Sequence, residues 1–130
     1  MSALQGLSIL LLEDSFLVAV DCEAILTELG AAQVHIASTL AEARDILSRA
    51  RIDFVLLDID LGQETGTPLA GLLAQRGVPF VIATGYGDDV LRDELLAGRL
   101  VIFKPYTAEG LERTIGEALR RVRPLSHDHS

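Results

Sequence analysis

The residues equipped for chemistry in this 130-residue chain sit directly behind short apolar runs. Glu13-Asp14 follow "SILLL" (8–12), Asp58 closes "FVLLD" (54–58) with Asp60 just beyond, Thr84 closes "FVIAT" (80–84), and Lys104-Pro105 follow "LVIF" (100–103). If the runs are neighbouring strands, three carboxylates meet at one sheet edge and repel each other unless a cation offsets them. A hard divalent ion such as Mg²⁺ takes a few carboxylate or carbonyl oxygens, several waters and usually a phosphate oxygen. Asp14 and Asp58 can supply direct oxygens, Glu13 acts directly or through water, and the backbone carbonyl of Asp60 lies where a third oxygen is needed. Lys104 adds a mobile positive charge and Thr84 a hydroxyl donor. This set suits a phosphoryl group arriving on Asp58 as an acyl phosphate. Metal and Lys104 would offset charge on its equatorial oxygens, with Thr84 donating to one of them.

Taken singly, each piece has a plainer reading. An acidic pair after a strand favours the start of a helix, a strand-end Thr reflects β-propensity, and Lys-Pro is an ordinary solvated turn. Their shared placement, each at the carboxyl end of a different run, is what points to one site.

The elements that position them alternate strictly. Between the apolar runs, which include "QVHIA" (33–37), apolar residues recur at helical spacing: Val18, Cys22, Ile25 and Leu29, then Leu40, Ala43, Leu47 and Ala50, then Leu111, Ile115, Ala118 and Val122. Ser15 or Asp14 opens the first helix and Gly30 closes it, Thr39 with Glu42 forms a capping box, and Thr107 caps the last helix. "TPLAGLLAQRG" reads as a short helix begun by Pro68 and ended by Gly77, and 88–97 as a short or irregular one. Five strands alternating with five helices, the strands apolar on both faces, give a parallel sheet in a three-layer α/β sandwich. Right-handed crossovers leave 2-1-3-4-5 as the simplest strand order. Ligands of such sheets sit at the carboxyl ends of the strands, by the switch in strand order. Strands 1 and 3 are neighbours there, so their acids converge.

Composition sets outer bounds. Hydrophobic residues are 49% and charged residues 23%, which suits one folded domain, expected over 1–124 with a disordered tail at 125–130. A net charge of −8 disfavours nucleic acid as a partner. The single cysteine, Cys22, excludes an internal disulfide and reads as a small core residue. No stretch approaches a membrane span and no basic leader opens the chain, so a cytoplasmic protein without a membrane partner is expected. His127 and His129 read as a tail remnant, His35 as a surface or rim residue.

At "LLEDS", "LLDIDLG", "IATG" and "FKPY" the sequence resembles the receiver domain of two-component response regulators, over about Leu7 to Val122. The resemblance implies a flavodoxin/CheY-like (βα)₅ fold and Asp58 as phosphoacceptor. It also implies Glu13 and Asp14 as the acidic metal pair, Thr84 as the switch hydroxyl, Lys104 as the site lysine and a cis bond before Pro105. "PFVIATGYGDD", Pro79 to Asp89, is similar to the motif of the FAT GUY subgroup, with Val81-Ile82 where that motif carries a Phe next to Ala83. Many receivers hold an aromatic three residues before the lysine; here that residue is Val101, and Tyr86 is the candidate substitute. Phe103 reads as core.

The function implied is a single-domain regulator, not an enzyme, which assists its own phosphorylation and dephosphorylation. It would accept phosphate from a histidine kinase and then bind a downstream protein or pass phosphate to a phosphotransferase. The alternatives are a degenerate receiver that only binds partners, and a haloacid-dehalogenase-like phosphatase. The phosphatase would need its nucleophile after the first strand and its acidic pair last, the reverse of the order here. A nucleotide-binding domain lacks its glycine-rich loop.

Overall fold

A computed structural model describes residues 4–85 and 99–122. Five parallel strands form one sheet of order β2-β1-β3-β4-β5: β1 (Ser8–Leu12), β2 (Gln33–Ala37), β3 (Phe54–Asp58), β4 (Phe80–Thr84) and β5 (Val101–Phe103). The helices are α1 (Phe16–Glu28), α2 (Leu40–Arg49), α3 (Thr67–Arg76) and α4 (Ala108–Val122). The expected fold class and strand order are therefore observed. The expected helix at 88–97, together with Tyr86, His127 and His129, lies outside the described residues.

Side-chain alternation divides the core in two. Ile9, Leu11, Phe54, Leu56, Val81, Ala83 and Ile102 pack beneath α1 and α4. Leu10, Leu12, Val55, Leu57, Phe80 and Ile82 pack beneath α2 and α3. Every residue of β3 and β4 is buried, as central strands covered on both faces require. Strands β2 and β5 are edges and only half covered.

Local chemistry fixes most helix ends. Ser15, not Asp14, caps α1, its Oγ accepting from the Val18 N–H, and Gly30 follows at φ 109°, a left-handed value that favours glycine. Thr39 Oγ1 accepts from the Glu42 N–H at 3.1 Å. The Glu42 carboxylate reaches back one residue further than a capping box requires, to the Ser38 N–H at 2.7 Å. Pro68 sits in the first turn of α3 and Gly77 ends it at φ 71°. Thr107 Oγ1 accepts from the Gly110 N–H at 3.0 Å.

Two expectations need correction. The buried stripe of α1 is Ala19, Cys22 and Leu26, with Val18 and Ile25 at its margin, and that of α2 runs Leu40, Ala43, Ile46 with Leu47 at its edge. Several apolar residues stand side by side in both helices, so spacing alone cannot say which row faces the sheet. Phe103 is not core: it is 54% exposed. Ile102 takes the inward position against α4, alternation turns Phe103 to the opposite face, and the chief contacts of this edge strand are with β4 and α4. His35, on the edge strand β2, is half-buried as a rim residue is, with its Nε2 enclosed and without a hydrogen-bond partner.

Burial separates central from edge positions energetically. Leu56→Ala, at a fully buried site of β3, should cost about 3 kcal/mol of unfolding free energy. Ile36→Ala, on the free edge of β2 at 37% exposure, should cost about 0.5 kcal/mol or less. Urea titration of both variants measures the difference.

Candidate functional site

Strand register brings the candidate residues to one rim. Leu12 pairs with Leu57 across β1–β3, so Glu13 and Asp58 are the next residues of adjacent strands. Asp58 pairs with Ala83, and Thr84 pairs with Phe103 immediately before Lys104. Backbone bonds hold the rim together: Glu13 N–H to Ala37 O at 2.9 Å, Ile59 N–H to Ala83 O at 3.1 Å and Lys104 N–H to Thr84 O at 3.0 Å.

Glu13, Asp58 and Lys104 continue the rows that face α1 and α4, and their charged groups meet. Lys104 Nζ donates to Asp58 Oδ2 at 2.7 Å and to Glu13 Oε1 at 2.9 Å. Both carboxylates are almost fully buried, each residue at 1% exposure. Removing charges from water is costly unless they are paired and hydrogen-bonded, and here both are. Glu13 Oε2 accepts from the Ser15 N–H at 3.1 Å, and Asp58 Oδ1 from the Asp60 N–H at 3.0 Å. Burial pushes the Glu13 carboxyl above its ordinary value, against the pull of Lys104. Burial also works against the ammonium of Lys104, but its hydrogen bonds to Asp58 and Glu13 outweigh this and raise its titration above an ordinary lysine.

Asp14 is exposed beside this cluster, and one oxygen from each of Glu13, Asp14 and Asp58 lies within 4.8 Å of the others. An all-oxygen set of this kind, opening onto solvent, fits a hard divalent cation that keeps part of its water. The cleft above it measures about 380 Å³ and is lined by Glu13, Asp14, Ser15, Asp58, Asp60, Gly62, Gly85 and Lys104. Asp60 thus joins the cleft; its side chain turns back to accept from the Gly62 N–H at 3.1 Å. Thr84 is buried at the end of β4 in the row of Phe80 and Ile82, and is not among the residues lining the cleft. The Lys104–Pro105 bond is cis, as the resemblance implies.

Other supporting residues were not marked as site residues by their sequence. Ser15 serves the site through its backbone N–H, which no side-chain motif reveals. Gly66 lies where a Cβ would come 2.5 Å from the Asp58 carbonyl oxygen and 2.9 Å from Leu57 Cδ1, so the β3–α3 loop can pass behind Asp58 only with glycine there. Glu64 Oε2 accepts from the Leu40 N–H at 2.9 Å and ties the same loop to the first turn of α2. Tyr106 packs against the α1–α4 core with its hydroxyl enclosed and unbonded, and burial raises its titration far above an ordinary tyrosine.

Comparison with known proteins agrees with this geometry. The response regulator receiver domain family matches residues 9–116. The phyllosphere-induced regulator PhyR of Methylorubrum extorquens is 32% identical over 114 residues, covering 85% of this chain and 43% of PhyR. The chain therefore spans less than half of that relative. SdrG from Sphingomonas melonis Fr1 superimposes with a TM-score of 0.75 at 38% identity, over 92% of this chain and 99% of that one. The receiver domain of PhyR from Erythrobacter litoralis gives 0.79 at 25% identity, over 91% and 93%.

Gly66→Ala must push the loop off β3, because the new methyl meets backbone on one side and a buried leucine on the other. A loss of about 1–3 kcal/mol is expected, read as a lower thermal midpoint, whereas Gly71→Ala, where a Cβ meets nothing within 4 Å, should leave the midpoint unchanged or raised.

Proposed function

The chain belongs to the response regulator receiver domain family, and we propose that it accepts a phosphoryl group on Asp58 from the phosphohistidine of a kinase. The observation that carries this reading is the buried Asp58 carboxylate, held by Lys104 and opening onto a cleft that Glu13, Asp14 and Asp60 also line. An Asp58 oxygen forms the bond to phosphorus, the phosphorus–nitrogen bond breaks, and the imidazole leaves with the electron pair. Lys104 already stands 2.7 Å from Asp58 Oδ2 and would follow the added charge on the phosphoryl oxygens. The Asp60 N–H fixes the rotation of the carboxylate. Glu13, Asp14, Asp58 and the carbonyl of Asp60 would hold Mg²⁺, which supplies charge neutralisation at the phosphoryl oxygens when bound. Thr84 would donate its hydroxyl to the phosphoryl group, which requires its side chain to turn toward the cleft.

Within the family, the reading extends to a stand-alone regulator of the FAT GUY subgroup. It acts in the cytoplasm without an enzymatic output, through a downstream protein or phosphotransferase. The motif at Pro79–Asp89 supports the subgroup reading. Tyr86 would take the part that an aromatic at Val101 plays in other receivers. A PhyR of solved structure, 30% identical to this chain, is a stress response regulator, and a partner in such a response is part of this proposal.

Incubation with a small phosphodonor such as acetyl phosphate tests the site. Intact mass should show one phosphoryl group on the wild type in the presence of Mg²⁺, none with EDTA and none on Asp58→Asn. Uptake by Asp58→Asn equal to the wild type would reject the assignment.

The metal set has its own readout. Mg²⁺ binds the folded state and should raise the thermal midpoint of the wild type. Asp14→Asn, which removes an exposed ligand and no buried pair, should weaken Mg²⁺ affinity by about tenfold or more, the effect of losing roughly 1.4 kcal/mol of binding. Titration calorimetry measures this directly.

A further inference from the structure

The turn between β3 and α3 is a small hairpin in which Asp60 and Thr65 face each other as an isolated antiparallel pair. The bonds that close it run through their neighbours: Leu61 N–H to Glu64 O at 3.0 Å and Gly66 N–H to Ile59 O at 3.0 Å. A residue in a pair of this kind turns its own N–H and C=O to one side, away from its opposite number. The Asp60 N–H reaches Asp58 Oδ1 at 3.0 Å. The Asp60 carbonyl is therefore directed to the same side, toward the cleft that Asp60 lines. At the hairpin tip, Gly62 stands where a Cβ would lie 3.4 Å from Asp14 Oδ2. One short turn thus aims a backbone oxygen at the acids and abuts the exposed member of the set.

A hairpin this short has little stability of its own, so its shape depends on what fixes it from outside. Leu61 is 6% exposed and packs into the core beneath α2 and α3. The other fixing is Glu64. Leu40 is the first residue of α2, and the N–H groups of a first turn have no partner within their helix. Thr39 Oγ1 answers the N–H of Glu42. The N–H of Leu40 is answered by Glu64 Oε2, 24 residues away in sequence, at 2.9 Å. The positive end of the helix dipole favours a carboxylate there.

A backbone carbonyl has no rotamer with which to adjust, so its value as a metal ligand depends on where the loop puts it. Mg²⁺ demands near-octahedral geometry at about 2.1 Å, whereas Ca²⁺ accepts a looser and more variable shell. We propose that Glu64, which is not among the residues lining the cleft, is a positioning residue for the cation. By tying the hairpin to α2 it keeps the Asp60 carbonyl in place for Mg²⁺ and sets the preference for Mg²⁺ over Ca²⁺. This rests on the reading of Glu13, Asp14, Asp58 and the Asp60 carbonyl as the metal set.

Titration calorimetry of the full chain with Mg²⁺ and with Ca²⁺ is the test. Glu64→Ala removes the acceptor and should weaken Mg²⁺ by about tenfold, the low end for a partner that orients a metal ligand, and Ca²⁺ by less. Glu64→Gln keeps an oxygen for the Leu40 N–H and should recover most of the Mg²⁺ affinity although its charge is lost. Thr39→Ala removes the cap of the same helix turn and no bond of the hairpin. It should lower the thermal midpoint and leave both affinities unchanged. In the metal-free chain, the amides of Leu61 and Gly66 should exchange with deuterium faster in Glu64→Ala than in the wild type. The proposal is overturned if Glu64→Ala binds Mg²⁺ as tightly as the wild type, or loses Ca²⁺ to the same degree. It is equally overturned if Glu64→Gln loses as much as Glu64→Ala, which would make the effect one of charge, or if Thr39→Ala does, which would make it one of helix fraying. A wild type that binds neither cation refutes the metal set itself and this proposal with it. Tight wild-type binding that Glu64→Ala leaves unchanged removes this proposal alone.

Discussion

Two carboxylates buried at the ends of adjacent strands, with one ammonium between them, set the terms for the rest of the molecule. Glu13 and Asp58 could not remain charged at 1% exposure without Lys104 and the backbone N–H groups of Ser15 and Asp60. That demand fixes the register of β1 against β3, the parity by which residues 13, 58 and 104 share a face, and the return of the chain at β5. The leucine and valine rows beneath α1 and α4 can be repacked at modest cost. A slip of one residue in β3 would turn Asp58 toward α2 and α3 and strand a charge in the apolar half of the core.

The same arrangement explains how one rim can be both stable and reactive. Among the described residues three negative groups meet one cation, an excess of negative charge that further positive charge would relieve. The fold tolerates this because the third acid, Asp14, faces solvent. Stability comes from the hydrophobic rows and reactivity from the unbalanced rim, and the two are separated by no more than the last residue of each strand.

How much of this was legible depended on how local the cause was. Caps at Ser15, Thr39, Gly77 and Thr107 are one-turn effects, and their residue types announce them. The placement of Glu13, Asp58, Thr84 and Lys104 at strand ends could be read because apolar runs stop abruptly there. The buried row of α1 could not, since Val18, Ala19, Cys22, Ile25 and Leu26 offer two equally apolar stripes and only the sheet decides between them. Phe103 misled for the opposite reason: its type says core, while the edge position and parity of β5 turn it outward. Gly66 was silent because its necessity lies in the nearness of Asp58 and Leu57, which a sequence does not display.

Glu64 has a consequence for how a local event at the rim could be felt elsewhere. Its carboxylate holds the Leu40 N–H while its own carbonyl accepts from the Leu61 N–H. The loop between β3 and α3 is thus laced at one residue both to itself and to the start of a helix on another strand's connection. A loop free at that point could absorb a displacement of Asp60 by bending. This one behaves more like a lever with its pivot at Glu64, and a shift at one arm must either move the first turn of α2 or break a single 2.9 Å bond.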